Sequence, residues 1–133
     1  MKAVFLDTVG LLALWDVADQ WHNDAESAFA SLKAERKSFI TTSFIFLECG
    51  NAAARRPYRN QVNMLRQKMA LRGELIIPTA TDWEEAWQAY QRNEAGQAGI
   101  VDQVSFIVMR RLGITEAFTN DRHFQAAGFK VLF

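Results

Sequence analysis

Short apolar runs alternate with longer amphipathic segments along this chain, and this alternation limits the possible folds more than any other feature. The longer segments have apolar residues at every third or fourth position, which is typical of helices. The short runs have the length of buried strands, and they cover residues 3–6, 38–42, 75–77, 117–119 and 130–132. Because parallel strands need a crossover, usually a helix, the pattern predicts an α/β fold. We expect a three-layer α/β/α sandwich with a mostly parallel central sheet.

Helices are predicted between the strands, at residues 8–14, 20–35, 43–55 and 57–71, from about 81, and at about 101–112. Ser43 can cap the third of these helices, and Pro57 suits the first turn of the fourth. Thr81 and Glu84 form a predicted capping box for the fifth. That helix presents three aromatic residues on one face at core spacing, so helix packing is their default interpretation and base stacking the minor one. They are Trp83, Trp87 and Tyr90.

The 133 residues contain no repeat, linker or low-complexity segment, so we expect one domain over residues 1–133. The single cysteine, Cys49, cannot form an internal disulfide, which favours a reducing compartment and a cytoplasmic location. No segment has the length and apolar character of a membrane span, and Asp7 interrupts the first apolar run too early for a signal peptide. Fifteen basic residues balance fifteen acidic ones, so only a local patch could bind nucleic acid.

Four carboxylates are predicted to meet at one edge of the sheet. Asp7 directly follows the first strand, and Asp121 follows the fourth strand by one residue. Glu48 lies in the first turns of the helix after the second strand, and Asp102 lies at the start of a very apolar helix. Ligands of open parallel sheets bind beyond the carboxyl ends of the strands. Because clustered carboxylates destabilise a fold unless a cation compensates them, the pattern favours a divalent metal site.

Each acid also has a simpler structural interpretation. The helix dipole alone would favour Asp102 at its position, and for that residue in isolation this explanation is as good as metal binding. Asp121 could merely cap the short helix that begins at Arg122, and taken alone this is the better interpretation; Asp7 could cap as well. Glu48 is harder to explain, because a glutamate within an apolar run is costly to bury without a partner. The joint placement of the four acids is what favours metal binding.

At these positions the sequence resembles the PIN domain family, and by length its small VapC-type ribonuclease toxins. The resemblance covers essentially the whole chain, and its last block is the most specific. The matching blocks are Phe5-Leu6-Asp7-Thr8, Leu11 to Leu14, Thr42-Ser43, Leu47-Glu48, Val101 to Ser105, Arg110 to Ile114, Thr119 to Phe124 and Ala127 to Phe129.

The resemblance implies an acidic site that binds Mg²⁺ or Mn²⁺ and cleaves RNA endonucleolytically. It implies Asp7, Glu48, Asp102 and Asp121 as the metal-binding and catalytic residues, and Thr8 and Thr119 as supporting polar residues. A cognate antitoxin and a homodimer are the partners that it implies. Gln103 stands where many members have a small residue, and this departure is expected to add a polar group beside the metal site.

Arginines are the candidate RNA contacts. Arg55, Arg56 and Arg59 form the densest basic region and begin where the helix carrying Glu48 ends. A solvated helix face explains them at least equally well. His123 has no placed partner in the sequence, so we expect it to pack or to form a hydrogen bond at its turn rather than to act in catalysis.

Three other classes fit the sequence less well. Phe5 to Leu12 resembles the first motif of haloacid-dehalogenase-type phosphatases, but Val9 stands where their second acid belongs. A receiver domain would need an aspartate after the third strand, where this chain has Ile77-Pro78-Thr79. A PIN-like module that binds RNA or protein without cutting is the third alternative, and the complete set of four acids argues weakly against it.

Overall fold

A computed structural model describes residues 3–133 of the chain. Within this range the strands are β1 (Ala3–Leu6), β2 (Ser38–Thr42), β3 (Leu75–Ile76), β4 (Glu116–Phe118) and β5 (Lys130–Val131). The helices in the same range are α1 (Thr8–Trp15), α2 (His22–Ala34), α3 (Ser43–Ala53), α4 (Arg59–Leu71), α5 (Ala80–Gln91), α6 (Glu94–Gln97), α7 (Ile100–Leu112) and α8 (Arg122–Ala126). Strands and helices therefore alternate along the chain, as the sequence pattern predicts.

The five strands form one parallel sheet in the order β3-β2-β1-β4-β5. β1 lies at the centre, so the carboxyl ends of β2 and β4 flank its own carboxyl end on the same edge of the sheet. The register pairs Leu6 of β1 with Phe118 of β4. The residues that follow them, Asp7 and Thr119, are therefore neighbours at that edge.

The helices pack in two groups, α1 to α4 and α5 to α8, and cover both faces of the sheet. The predicted α/β/α fold class is thus confirmed. The central strand is the heart of the core, since Val4, Phe5 and Leu6 are almost completely buried. Within residues 3–133, every helix is too short or too polar to cross a bilayer.

Helix α1 lies very close to the end of β4. A Cβ atom built on Gly10 would lie 2.0 Å from the carbonyl oxygen of Phe118. Only glycine fits at this contact, because any side chain would collide with backbone that cannot move aside. The first turn of α1, which carries Thr8, is consequently held against the edge of the sheet where the acids meet.

The cap of α3 and the start of α4 differ from those predicted, although α3 begins at Ser43 as expected. Thr42, not Ser43, caps α3, and its side-chain oxygen accepts a hydrogen bond from the backbone N–H of Ile45 at 3.3 Å. Helix α4 begins at Arg59, two residues after Pro57.

The predicted capping box of α5 is wrong by two residues. Thr79 is the N-cap, its side chain accepts from the N–H of Asp82 at 3.0 Å, and the Asp82 carboxylate accepts from the N–H of Thr79 at 2.9 Å. Thr81 and Glu84 have the same spacing but lie inside the helix. Asp82 of the observed capping box has a second partner, Arg111 of α7, which donates to its carboxylate at 2.7 Å.

The aromatic face of α5 lies at the surface, so its predicted packing in the core is wrong. Trp83, Trp87 and Tyr90 are 45%, 39% and 47% exposed, whereas Ala86 and Ala89 are buried. The small alanines allow α5 to approach α7 closely, and the large rings are displaced to the side. There they contact one another edge to face, with centroids 5.8 Å and 5.3 Å apart along the row.

Candidate active site

The four predicted acids line a single open cleft at the carboxyl edge of the sheet. The cleft has a volume of about 620 Å³, and Thr8, Val9, Asn51 and Ala52 complete its wall. The acids come from the end of β1, from α3, from α7 and from the loop after β4, which are distant in the sequence. The structure therefore brings together all the residues that the sequence singles out as acids of the site: Asp7, Glu48, Asp102 and Asp121.

Asp7 stands at the N-cap position of α1 but does not use its side chain as a cap. Its carboxylate instead accepts a hydrogen bond from the hydroxyl of Thr119 at 2.8 Å. Only 1% of the residue is exposed, and burial together with the charges of Asp102 and Asp121 raises the pKa of Asp7 to about 8, against the lowering effect of the Thr119 hydrogen bond. The capping interpretation of Asp7 is thus wrong, and its carboxylate faces the cleft.

Asp102 lies in the first turn of α7, whose N-cap is Gly99. Its pKa is raised to about 7, mainly by burial and then by the charges of Asp121 and Glu48, while His123 acts in the opposite direction. The helix dipole favours an anion at this position, but it does not remove the repulsion from the other carboxylates. The helix dipole alone therefore does not account for the environment of Asp102.

Glu48 is held by a threonine from a different helix. The hydroxyl of Thr8 donates a hydrogen bond of 2.6 Å to a carboxylate oxygen of Glu48. The partner that this partly buried glutamate needs is thus found 40 residues away in the sequence. Thr8 and Thr119 both support a cleft acid, since each donates its hydroxyl hydrogen to one carboxylate.

Asp121 caps α8, as its simpler interpretation predicts, and it also lines the cleft. One carboxylate oxygen accepts hydrogen bonds from the backbone N–H of His123 at 2.9 Å and from its imidazole Nδ1 at 2.8 Å. The backbone N–H of Asp121 donates to the hydroxyl of Thr119 at 3.1 Å. Thr119 thus links Asp7 to Asp121 across the end of β4.

In the described part of the chain, His123 at Asp121 is the one basic side chain paired with a cleft acid. Among residues 3–133, no lysine or arginine nitrogen lies within 4.0 Å of a carboxylate of Asp7, Glu48, Asp102 or Asp121. A hard divalent cation that prefers carboxylate oxygens and retains several waters fits this donor set. The site therefore has the chemistry that Mg²⁺ or Mn²⁺ binding requires.

The three candidate RNA-binding arginines are exposed, and they follow the part of α3 that lines the cleft. Arg55 is three residues beyond Ala52, and Arg56 comes next in the turn between α3 and α4. Arg59 donates a hydrogen bond to the carbonyl oxygen of Ala54 at 3.2 Å, which fixes the start of α4. All three side chains are solvent-accessible, so they can reach phosphates.

Sequence reasoning misses one residue of the cleft wall. Asn51 lines the cleft because it lies three residues after Glu48 on the same face of α3, a spacing that the sequence does contain. The hydrogen bond expected for His123 at its turn is confirmed, since the ring pairs with Asp121. Its position near Asp102 is not predicted from the sequence, because that depends on how α8 packs against α7.

Gln103 does not extend the site, contrary to prediction. Its side chain is buried and donates hydrogen bonds to the carbonyl oxygens of Glu94, at 2.9 Å, and Ala98, at 3.4 Å. One position along a helix turns the side chain by about 100°, so Gln103 points away from the cleft that its neighbour Asp102 lines. Its role is to fasten the loop before α7.

The fold and the acidic cleft define a class of protein: this chain belongs to the PIN domain family, whose pattern it matches over residues 4–130. It is 30% identical over 131 residues to the 23S rRNA-specific endonuclease VapC20 of two Mycobacterium tuberculosis strains, and the match covers 95% of both chains.

Solved structures agree with this assignment. The crystal structure of Mycobacterium tuberculosis VapC20, described as a Sarcin-Ricin loop cleaving toxin, superposes with a TM-score of 0.77 at 29% identity over 96% of each chain. FitAcB from Neisseria gonorrhoeae superposes with a TM-score of 0.64 at 15% identity, over 98% of this chain and 96% of that one. The second likeness shows the shared fold alone.

Proposed function

We propose that this protein is a metal-dependent endoribonuclease that hydrolyses RNA phosphodiester bonds and acts as the toxin of a type II toxin-antitoxin pair. The observation that carries the proposal is the convergence of four carboxylates in one open cleft, without a lysine or arginine partner among residues 3–133. Similarity to VapC20, an rRNA endonuclease, over 95% of the chain supports the choice of RNA as substrate.

Asp7 and Asp102 are proposed as the principal ligands of Mg²⁺ or Mn²⁺, and Asp121 completes the set directly or through water. A bound ion of this kind lowers the pKa of a coordinated water and stabilises charge on a phosphate oxygen. Glu48, whose carboxylate is oriented by Thr8, then has the role of positioning the attacking water or of binding a second ion. Thr119 holds the carboxylate of Asp7 toward the cleft.

Arg55, Arg56 and Arg59 are proposed to bind the RNA backbone beside the cleft. They are exposed, they follow the cleft wall of α3, and guanidinium groups match phosphate oxygens in geometry and charge. This role predicts that RNA binding weakens as the salt concentration rises, because phosphate contacts release bound counterions. Substituting alanine for all three should reduce that salt dependence while leaving the acidic cleft intact.

We also propose that the protein acts in the cytoplasm, where it meets its RNA and a cognate antitoxin, and that it forms a homodimer. The exposed aromatic row Trp83, Trp87 and Tyr90 supports the dimer, because large apolar side chains grouped at a surface favour association. Sedimentation of the wild-type protein and of Trp87→Glu tests this part independently. A wild-type monomer would remove the homodimer from the proposal without affecting the nuclease.

Cleavage of a structured RNA pool that includes ribosomal RNA, with Mg²⁺ or Mn²⁺, tests the nuclease directly. The controls are EDTA, Asp102→Asn from the cleft, and Asp82→Asn, which removes a buried carboxylate outside it. We expect discrete fragments from the wild type and from Asp82→Asn, and none with EDTA or Asp102→Asn. Cleavage that survives both EDTA and Asp102→Asn would contradict the proposal. RNA binding without any cleavage would favour a PIN-like binding module instead.

A further inference from the structure

A smaller pocket with a basic rim lies between α3 and α4. Its volume is about 250 Å³, and it is lined by Phe46, Gly50, Arg59, Val62, Asn63 and Arg66. In the described part of the chain no acid lines this pocket, in contrast to the cleft. Phe46 and Val62 are buried and form an apolar floor, whereas Arg59 and Arg66 are exposed. Two guanidinium groups at the rim favour an anion that enters from solvent.

Both guanidinium groups are held by neutral acceptors. Arg59 donates to the carbonyl oxygen of Ala54 at 3.2 Å, and Nε of Arg66 donates to the side-chain oxygen of Asn63 at 2.9 Å. Across residues 3–133, neither arginine has a carboxylate oxygen within 4.0 Å. Their positive charges are thus oriented without being neutralised. A guanidinium group has five N–H donors, so each arginine keeps donors for a phosphate.

The two arginines converge on one side of α4, opposite a glycine of α3. Arg59, Asn63 and Arg66 follow the i, i+4, i+7 spacing of a single helix face. A Cβ atom built on Gly50 would have no other atom within 4 Å. The absence of a side chain at Gly50 therefore leaves the pocket open on its α3 side.

The pocket and the acidic cleft lie on two sides of the same helix. Glu48 lines the cleft and Gly50 lines the pocket, and two positions along a helix differ in direction by about 200°. Leu47 and Asn51 are exposed and lie between them on the outer face of α3. A helix is about 10 Å across, so a nucleic-acid strand that crosses this face joins the cleft to the pocket within a few nucleotides.

We propose that this pocket binds a backbone phosphate of the RNA, a few nucleotides from the bond that is cleaved. This inference rests on the proposed ribonuclease function and adds a second point of contact with the strand. Arg66 and Asn63 then position the RNA together with Arg59. A free phosphate ion has the same chemistry, but the place of the pocket beside the cleft favours a phosphate that belongs to the bound strand.

Four substitutions, each made in an Asp102→Asn background so that the RNA is bound but not cut, test the proposal. Gly50→Leu fills the pocket without changing the charge, and Gly50→Ala is its control. Arg66→Gln removes one charge from the rim. Arg72→Gln removes the same charge at the end of α4, outside the pocket. Thermal melts establish that each variant is folded.

Filter binding of RNA of about 20 nucleotides, longer than a typical single-strand site, measures the effect over a range of salt concentrations. We expect Gly50→Leu and Arg66→Gln to lower the affinity by about fivefold or more at low salt. Arg66→Gln should also reduce the slope of log affinity against log salt by about 0.7, since one phosphate contact is lost. Gly50→Ala and Arg72→Gln should bind like the background variant.

Unchanged RNA affinity in both Gly50→Leu and Arg66→Gln would overturn the proposal. If calorimetry with inorganic phosphate nevertheless showed binding that Gly50→Leu abolishes, the pocket would be a site for a free anion. An equal loss of RNA affinity in Arg66→Gln and Arg72→Gln would also contradict the pocket, because it would show a general effect of charge.

These outcomes are separable from those of the nuclease proposal. Failure of the pocket would leave metal-dependent cleavage, and its loss in Asp102→Asn, unaffected. Conversely, RNA affinity that falls in Gly50→Leu, together with a wild type that never cleaves RNA, would support the phosphate pocket and remove the nuclease.

Discussion

Asp7 and Asp82 are both nearly inaccessible to solvent, at 1% and 3% exposure, but their surroundings have opposite effects on their charge. Burial alone would raise the pKa of Asp82, yet its pKa is lowered by the N–H of Thr79 and by the guanidinium of Arg111 at 2.7 Å. The pKa of Asp7 is raised to about 8 by burial and by Asp102, and its side-chain partner is the neutral hydroxyl of Thr119.

The difference separates an acid whose charge is compensated within the fold from one whose charge is not. Asp82 has its compensating charge within the protein, and it joins α5 to α7 by a capping box and an ion pair. Asp7 stands beside further carboxylates, so its ionised form is stabilised only when a cation enters the cleft, and without one the carboxyl holds its proton up to about pH 8. A buried carboxylate with a raised pKa, in an open cleft with other acids, is a reasonable marker of function on physical grounds.

The largest expected effect concerns RNA cleavage. Asp102→Asn should reduce the cleavage rate by at least about a hundredfold, because it removes a proposed metal ligand from the cleft. Asp82→Asn should cleave RNA at nearly the wild-type rate at a temperature where it is folded. Initial cleavage rates on a defined RNA fragment measure both effects. Equal rate losses in the two variants would contradict the distinction between Asp102 as a cleft acid and Asp82 as a structural one.

The next effect is a pH dependence of stability in protein freed of divalent ions. An unfolded aspartate has a pKa near 3.9, whereas the folded-state pKa of Asp7 is about 8, so folding takes up a proton between these values. The contribution of Asp7 to the free energy of unfolding is therefore most favourable below pH 4, and it decreases as the pH rises toward 8. Asp7→Asn should remove this loss and gain on the order of a few kcal/mol over the wild type at pH 8.

Urea denaturation at pH 5 and pH 8, in the presence of EDTA, measures this linkage. Addition of Mn²⁺ at pH 8 should restore the stability of the wild type and leave Asp7→Asn nearly unchanged. If the difference in unfolding free energy between the wild type and Asp7→Asn were the same at pH 8 as at pH 5, the charge of Asp7 would be compensated within the protein.

Asp82 should show the opposite pH dependence, with a somewhat smaller effect. Its folded pKa is lowered, so its contribution to stability is present above the unfolded pKa near 3.9 and is lost as the pH falls through the folded value. At pH 7 we expect Asp82→Ala to cost about 2 kcal/mol, from the lost cap and the lost partner of Arg111.

Glu84→Ala is the matched control for this measurement, since Glu84 is an exposed acid on the same helix. Chemical denaturation should give it a free energy of unfolding close to that of the wild type. A larger loss from Glu84→Ala than from Asp82→Ala would favour the capping box that the sequence alone suggests.

The smallest predicted effect concerns the threonine beside Glu48. Thr8→Val removes the hydroxyl that donates to Glu48 at 2.6 Å, and should cost about 1 kcal/mol in cleavage, or roughly a fivefold rate reduction. Thr8→Ser keeps a hydroxyl and should retain most of the activity. Equal cleavage rates for Thr8→Val and Thr8→Ser would show that the Thr8 hydroxyl does not orient the Glu48 carboxylate.

The arrangement of the cleft acids is predictable because it depends on strand direction rather than on side-chain packing. Once β1 and β4 are recognised as parallel strands, Asp7 and Asp121 must lie at the same edge, and the helix starts add Glu48 and Asp102. The pairing of Thr119 with Asp7 across 112 residues needs the register of β1 with β4, which the sequence does not specify.

The wrong predictions concern choices made by helix packing. The aromatic row of α5 has the spacing of a core face, but the close approach of α5 to α7 favours Ala86 and Ala89 on the buried side. The cap at Thr79 rather than Thr81 coincides with an interhelical contact, since Arg111 of α7 donates to Asp82 of the capping box. The position of His123 near Asp102, which is not predicted from the sequence, likewise depends on α8 packing on α7. Each of these contacts joins two helices, whereas the periodicity of the sequence describes each helix separately.

Calorimetric titration of Mn²⁺ at pH 7, in buffers of different ionisation enthalpy, tests the central claim most directly. If the buried acids of the cleft bind a cation in place of their protons, roughly 1 to 1.5 protons should be released per bound ion, from Asp7 with its pKa of about 8 and Asp102 with its pKa of about 7. Asp82→Asn should bind Mn²⁺ and release protons as the wild type does, whereas Asp7→Asn should bind Mn²⁺ weakly and release fewer protons. Binding without proton release, or equal binding by Asp7→Asn, would contradict the account.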